Sequence, residues 1–321
     1  MTPKPVLVTG GAGFIGSHLV ERLLADGLPV VVIDDLSTGS LDNLRAVKNH
    51  PRLRVIESRI STCAALPRLA ARAGSILHLA AAVGVELVVN APVRTLETNL
   101  HETEILLKAA APSRTPVLLA STSEVYGKSP RAAFAETDDL LIGPPTRARW
   151  GYACSKLMDE FLALAYAQEK KLPVVIARLF NTVGPRQTGR YGMVLPRFIA
   201  AAKQNQPLRV YGNGRQTRCF CFVHDTVEAL VRLMNCPAAR GEIFNVGTTR
   251  EISIRALAEE VIATLASKSR IELVPYNQAY APGFDDMLRR KPVVAKLART
   301  VGFRPATPLR KIIEHTAQTP A

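Results

Sequence analysis

No stretch of this 321-residue chain approaches the ~18 consecutive apolar residues of a membrane-spanning helix, so no membrane partner is expected. The opening MTPKPVLVTGG enters a strand pattern at once, without the charged and apolar regions of a secretion signal. A cytoplasmic location is the expectation. Cysteine is sparse. Cys63, Cys154, Cys219, Cys221 and Cys236 are odd in number and scattered, which excludes a disulfide framework and fits reduced thiols. Cys219 and Cys221 sit in CFCFV, which alternates like a strand. No second ligand pair accompanies them, so no metal is expected. Lys/Arg runs are also missing. The net charge is +14, but the basic residues are spread along the chain with no aromatic-interleaved basic segment. A nucleic-acid partner is therefore not expected, and an anionic small molecule accounts for part of the charge. There is no internal repeat and no low-complexity tract.

What is present is a rhythm. VLVTG (6–10), VVVID (30–34), LRVIE (53–57), ILHLA (76–80), VLLAS (117–121) and VVIARLF (174–180) are apolar, β-branched-rich runs of strand length. They read as strands of a parallel sheet buried on both faces. Amphipathic segments at 14–26, 92–111 and 150–169 separate them. This is the βαβ alternation of an α/β, doubly wound, Rossmann-type fold. After residue 180 the rhythm changes. GPRQTGRYG (184–192) is a loop, 193–204 reads as helix, and 208–218 as strand, turn and loop. FCFVHD and EIFNVG look like strands that rejoin the sheet. Helices are expected at 253–266, 291–299 and 308–317, with PYNQAYAPGFDDM as an irregular connection. The expected division is a first domain over 1–183, rejoined by about 219–247, and a smaller α/β substrate domain from 184–218 and 248–321.

Two motifs carry chemistry. TGGAGFIGS places Gly10, Gly13 and Gly16 between the first strand and the first helix. That context needs glycine for a tight turn, for close approach of backbone to a diphosphate, and for helix-on-strand packing. Asp34 follows at the end of the second strand, where a carboxylate accepts from a ribose diol and repels a 2′-phosphate. NAD is favoured over NADP. Further on, Tyr152 and Lys156 lie four apart on a helix and share a face. A lysine ammonium beside a phenol favours the phenolate, which can take a proton from an alcohol as its hydride leaves. The Ser-Thr-Ser run at 121–123 supplies strand-end hydroxyls to complete such a proton network.

TGGAGFIGS, DDLSTG, HLAA, TSEVYG, YACSK, RLFNTVGPR and FNVG follow one another in an order and spacing that resembles the extended short-chain dehydrogenase/reductases acting on nucleotide sugars. The resemblance covers nearly the whole chain. It implies transient oxidation of a sugar at C4 by a retained NAD. It also implies that Gly10, Gly13, Phe14, Ile15 and Gly16 line the pyrophosphate and that Asp34 holds the adenosine ribose. Lys156 would contact the nicotinamide ribose and tune Tyr152, and Thr122 would bond the C4 hydroxyl. Asn181, Arg218 and Arg290 would hold the substrate diphosphate, with Arg289 as a possible stand-in for Arg290. Relatives often dimerise through two helices, for which 92–111 and 150–169 are the candidates. There is one departure. Relatives often carry Gly-Asp-Ile after the third strand, with the Asp on adenine, whereas here the residues are Ser58-Arg59-Ile60.

Glu124, after Thr122 and Ser123, separates the reactions. Plain 4-epimerases of the family usually have a small or polar residue there. UDP-glucuronate decarboxylases and GDP-mannose dehydratases share Thr-Ser-Glu, and the latter normally use NADP, which Asp34 disfavours. The lead expectation is a UDP-glucuronate decarboxylase, with Ser123 and Glu124 positioning the sugar and managing the C5 proton, and Arg149 contacting the uronate. A UDP-glucose or UDP-glucuronate 4-epimerase is the first alternative, a 4,6-dehydratase the second, and a non-catalytic NAD-binding protein the remote one. Two features stand against the decarboxylase reading: AAAVGVELVVNAP (80–92) replaces the decarboxylases' Pro-Ala-Ser-Pro-type loop, with Glu86 unfavourable to an anionic substrate, and TGRYGMVLPRF (188–198) resembles bacterial sugar epimerases.

Overall fold

The structure, a computed structural model, describes residues 3–83, 91–147, 149–189, 193–279 and 287–318. Six strands alternate with helices along the first half: β1 (Val6–Thr9), β2 (Val30–Asp34), β3 (Leu53–Glu57), β4 (Ser75–His78), β5 (Val117–Thr122) and β6 (Val174–Leu179). The helices are α1 (Phe14–Ala25), α2 (Leu66–Arg72), α3 (Pro92–Ala110) and α4 (Arg149–Lys170). Then come β7 (Thr182–Val183), α5 (Val194–Lys203), β8 (Leu208–Tyr211), β9 (Thr217–Cys219), β10 (Cys221–Phe222), α6 (Val223–Met234) and β11 (Glu242–Val246). The main sheet is parallel in the order β11-β6-β5-β4-β1-β2-β3. One face packs on α1 and α6, the other on α2, α3 and α4. Helices on both faces explain why β1, β5 and β6 are near-continuous apolar runs.

The chain order reverses between β1 and β4. At such a switch the loops leaving the two strands run to opposite faces and open a crevice at the carboxyl ends. That crevice is the main cavity described below. The rest of the chain forms β12 (Glu251–Ser253), α7 (Ile254–Thr264), β13 (Ile271–Val274), β14 (Arg289–Arg290), α8 (Ala295–Val301) and α9 (Leu309–Ala317). A third core, including Leu195, Phe198, Leu257 and Ile312, packs α5, α7 and α9 together. Beside it lie a β13-β8 pair and a three-stranded β12-β9-β14 sheet.

Three expectations are corrected. β3 is only half buried, because it is the edge strand and one flank faces solvent. EIFNVG does rejoin the main sheet as β11, but FCFVHD does not: its Cys221–Phe222 pairs with β7 in a separate two-stranded sheet. The helix expected from residue 291 starts at Ala295. Lys291–Val293 runs extended instead, because Phe134 N donates to Lys291 O and Val293 N to Phe134 O, both at 2.8 Å.

Candidate active site

A cavity of about 420 Å³ opens at the carboxyl ends of the strands and is lined by the candidate catalytic, cofactor and substrate residues except Arg218. At one end lies the glycine turn. Gly10 has φ +71°, and a Cβ there would sit 2.7 Å from Ala80 N. A Cβ on Gly16 would sit 2.0 Å from Gly10 O. No side chain fits at either position, so α1 presses directly onto the turn. Gly13 caps α1 with no side-chain bond, and no acid occupies its first turn. Uncapped amides and the positive end of the helix dipole suit a diphosphate. Phe14 and Ile15 line the same wall. Asp34 is buried. Burial raises its carboxyl above the ordinary value, while the amides of Leu36 (2.9 Å) and Ala12 (2.8 Å) pull it back. Two amides leave it lone pairs for a diol.

At the other end β5 stops at Thr122. Its Oγ1 accepts from Glu124 N at 3.2 Å and so caps a 3₁₀ turn over Ser123–Tyr126. Of the hydroxyls at this strand end, Thr122 thus caps the turn, while Ser121 Oγ donates to Glu160 beneath it. Tyr152 from α4 stands with Thr122 on the cavity wall. Burial pushes the Tyr152 phenol well above its ordinary range, and the Glu124 carboxylate pushes the same way. Lys156 sits differently from the sequence expectation. Its Nζ donates to Asp159 Oδ2 at 2.8 Å, and both side chains are buried. Its charge is met by Asp159, one turn further along α4, and the phenol is shifted up rather than down.

Glu124 is held by arginines from two distant segments. Arg149 Nη2 lies 3.0 Å from Oε2, and Arg290 Nη1 pairs with Oε1. Burial alone would raise this carboxyl, but Arg290, Arg149 and the field of Arg218 bring it down to about 2. Glu124 is thus an acceptor throughout the neutral range and has no proton to give. Arg149 also lies over the Trp150 ring at 5.5 Å. Arg218 and Arg290 are register partners across β9 and β14, although Arg218 does not itself line the cavity. Arg289 points elsewhere, to Glu251 at 2.7 Å, so it does not replace Arg290. Asn181 lines the cavity in a left-handed turn (φ 27°), its amide donating to Cys219 O. Ser123 is buried on the same wall. Arg59 reaches Asp35 at 3.7 Å from an exposed position at the rim. Cys219 and Cys221 are buried thiols that burial pushes up to about 12. Glu86 lies outside the described residues.

Several supporting residues escaped the sequence reading. His78, in HLAA, bridges Thr9 Oγ1 (2.7 Å) and Thr103 Oγ1 (3.0 Å), and burial lowers it to about 3, so it is a neutral pin between β1, β4 and α3. Asn99 ties Ala82 N (2.8 Å) to Ser155 Oγ (3.1 Å) and so links the cavity wall to the Tyr152 helix. Tyr126 and Asn245, from TSEVYG and FNVG, bond each other at 2.7 Å. Arg178 grips Glu160 bidentately at 3.0 and 2.7 Å beneath them. The only available signal was a polar residue inside an otherwise apolar element.

Against this geometry, residues 6–247 match the family described as NAD dependent epimerase/dehydratase. The chain belongs to that family. Its cofactor is NAD, and the glycine cradle that a Cβ would fill, the uncapped helix start and Asp34 all fit that group. Among curated relatives, the chain is 40% identical to the UDP-N-acetyl-alpha-D-glucosaminuronate decarboxylase of Bacillus cytotoxicus, over 98% of this chain and 97% of that one. It is 34% identical to UDP-glucuronic acid decarboxylase 1 of Danio rerio, over 98% of this chain and 72% of the relative. Among solved structures, the UDP-glucuronic acid 4-epimerase of Bacillus cereus, in complex with UDP-glucuronic acid and NAD, superposes with TM-score 0.87 at 26% identity over 98% of each chain. Among the described residues no helix is long and apolar enough to cross a membrane.

Proposed function

We propose that the protein decarboxylates a UDP-hexuronate by way of a transient 4-keto sugar, as an NAD-dependent lyase. The observation that carries this reading is the Arg149–Glu124–Arg290 cluster beside Tyr152. Two guanidiniums converge on a carboxylate next to the phenol, a setting suited to a substrate carrying both a carboxylate and a C4 hydroxyl. NAD, when bound, accepts the C4 hydride and later returns it.

The chain's own residues do the rest. Tyr152 takes the C4 hydroxyl proton as a phenolate. Burial and Glu124 raise its phenol, and the positive charge that NAD brings opposes that shift. The C4 hydroxyl proton moves onto the phenolate oxygen, leaving a tyrosine hydroxyl beside the C4 oxygen. With C4 a ketone, the C6 carboxylate belongs to a β-keto acid. The C5–C6 bond breaks, CO₂ leaves, and the electron pair moves onto the C4 oxygen, where the Tyr152 hydroxyl donates to it. C5 then takes a proton from water, and the electron pair on the C4 oxygen returns to restore the ketone. Glu124 is ionised and does not supply that proton; it keeps Arg149 aimed at the uronate, with Ser123 beside it. Asn181, Arg218 and Arg290 meet the diphosphate side. Lys156 holds the nicotinamide ribose from its pairing with Asp159. The portion from 184–218 and 248–321 carries the nucleotide sugar, and 1–183 with 219–247 carries NAD.

The testing experiment incubates the enzyme with UDP-glucuronate, and in parallel with its 2-acetamido counterpart, and follows CO₂ release and proton NMR. A UDP-pentose with CO₂ supports the reading, and the better substrate settles the C2 substituent. Interconversion at C4 without CO₂ would replace it with the 4-epimerase reading, which the Bacillus cereus neighbour favours. We also propose a homodimer through α3 and α4. Their outer faces expose Val93, Leu100, Met158 and Phe161, the last at 61%. An apolar stripe of this size suits a second copy. Phe161→Glu is expected to give a monomer by sedimentation velocity; an unchanged species would refute this surface.

A further inference from the structure

The cavity extends past Asp34 into a compartment walled by Ser58-Arg59-Ile60, which lacks the acid that the resemblance leads one to expect there. Asp34 is the register partner of Glu57, and Ser58 N donates to Asp34 O at 3.0 Å. The next residues, Ser58, Arg59 and Ile60, therefore wall the space directly beyond the ribose carboxylate. Ile60 is 3% exposed and gives that space an apolar floor. A dinucleotide with its diphosphate on the glycine turn and its ribose on Asp34 must place its purine here.

Across the compartment stands α3, which presents Glu102 to the cavity. Glu102 is fixed rather than free. Its Oε2 accepts from Ser61 N at 2.8 Å and its Oε1 from Ser61 Oγ at 2.6 Å. These bonds orient the carboxylate and leave each oxygen a further lone pair. The other polar groups of the compartment suit an amine less well. Arg59 is a donor. Ser58 Oγ gives its proton to Arg59 O at 2.8 Å. Asp35 accepts from Ser37 N at 3.0 Å and faces Arg59 at the rim.

We infer that Glu102 reads the exocyclic amine of the NAD adenine, making an acid on α3 the base-specificity residue of this chain. A carboxylate accepts from an amine and repels a carbonyl in the same position. The chemistry therefore discriminates adenine from hypoxanthine, which carries a carbonyl oxygen where adenine carries its amine.

The test compares the binding of NAD and nicotinamide hypoxanthine dinucleotide to the nucleotide-free protein by calorimetry. It needs no sugar substrate and stands whether or not the decarboxylase reading does. NAD is expected to bind at least about tenfold more tightly to the wild type, in line with one charge-assisted hydrogen bond. In Glu102→Gln, whose amide can also donate, the preference falls to within about twofold of unity or inverts. Asp35→Asn keeps the wild-type ratio. Equal binding of both dinucleotides by the wild type overturns the inference, and that measurement needs no variant. So does a Glu102→Gln protein that weakens both alike, the signature of a loop anchor only, or a preference lost in Asp35→Asn instead.

Discussion

The two ends of the cavity are built in opposite ways. The diphosphate and ribose cradle of the dinucleotide is assembled from neighbours in sequence: a strand, three glycines, a helix, a strand and Asp34, all within the first 34 residues. The chemical end is assembled from residues far apart. Arg149 lies 25 positions from Glu124 in sequence, and Arg290 lies 166 away. The first end is held by backbone sterics and tolerates no added atom. The second is held by charge. A backbone cradle binds any dinucleotide of the right shape, whereas a cluster of converging charges can be retuned by single substitutions among related reactions.

The sharpest break of this contrast is Gly16→Val. The Cβ would meet Gly10 O at 2.0 Å, so α1 must lift off the turn. NAD affinity is expected to fall by more than about 100-fold, with several kcal/mol of stability lost as overpacking forces the backbone apart; calorimetry and thermal unfolding check both. At the chemical end Tyr152→Phe removes the proton acceptor and leaves the cradle intact. Turnover should fall by about 10²–10⁴-fold with NAD affinity unchanged, as expected for loss of a general base. A parallel loss of NAD binding would show that the two ends are not separable.

The charge cluster also has a pH signature. The Glu124 carboxyl is depressed from 4.5 to about 2, so its contribution to stability is present above the unfolded value and is lost as pH falls from about 4.5 toward 2. Between pH 6 and pH 3 the wild type should lose on the order of 2 kcal/mol more stability than Glu124→Gln. Superimposable pH profiles would show that the arginines do not hold the carboxylate in solution. The smallest effect is expected at Arg59→Ala. Its partner Asp35 is 3.7 Å away and the guanidinium is exposed, so stability should change by less than about 1 kcal/mol in chemical denaturation.

These differences follow what was readable beforehand. The sheet was legible because its central strands are buried on both faces and leave an unbroken apolar signature, as in VLLAST of β5. β3 was misread because an edge strand carries the same composition without the same burial. The residues lining the cavity were legible where one βα unit places them. Their environment was not: Asp159 stands only three residues after Lys156 on α4, but nothing in YACSK says that burial and Glu124 leave the phenol raised. Nor does MLRRKP say which arginine turns inward. Pairing of β14 with β9 sets Arg290 beside Arg218 and sends Arg289 to Glu251.

The sequence by itself determined the alternating fold, the glycine cradle, the preference for NAD through Asp34, and the presence of Tyr152, Lys156 and Glu124 on their elements. These are set by steric and hydrogen-bonding rules that act within one or two turns of chain. The tertiary structure alone decided the charge state of Glu124, the burial that raises the Tyr152 phenol, the choice of Arg290, and the placing of Glu102 opposite Ile60. Each depends on how far apart two charges end up and how much water is left between them, and both follow from the packing of segments distant along the chain.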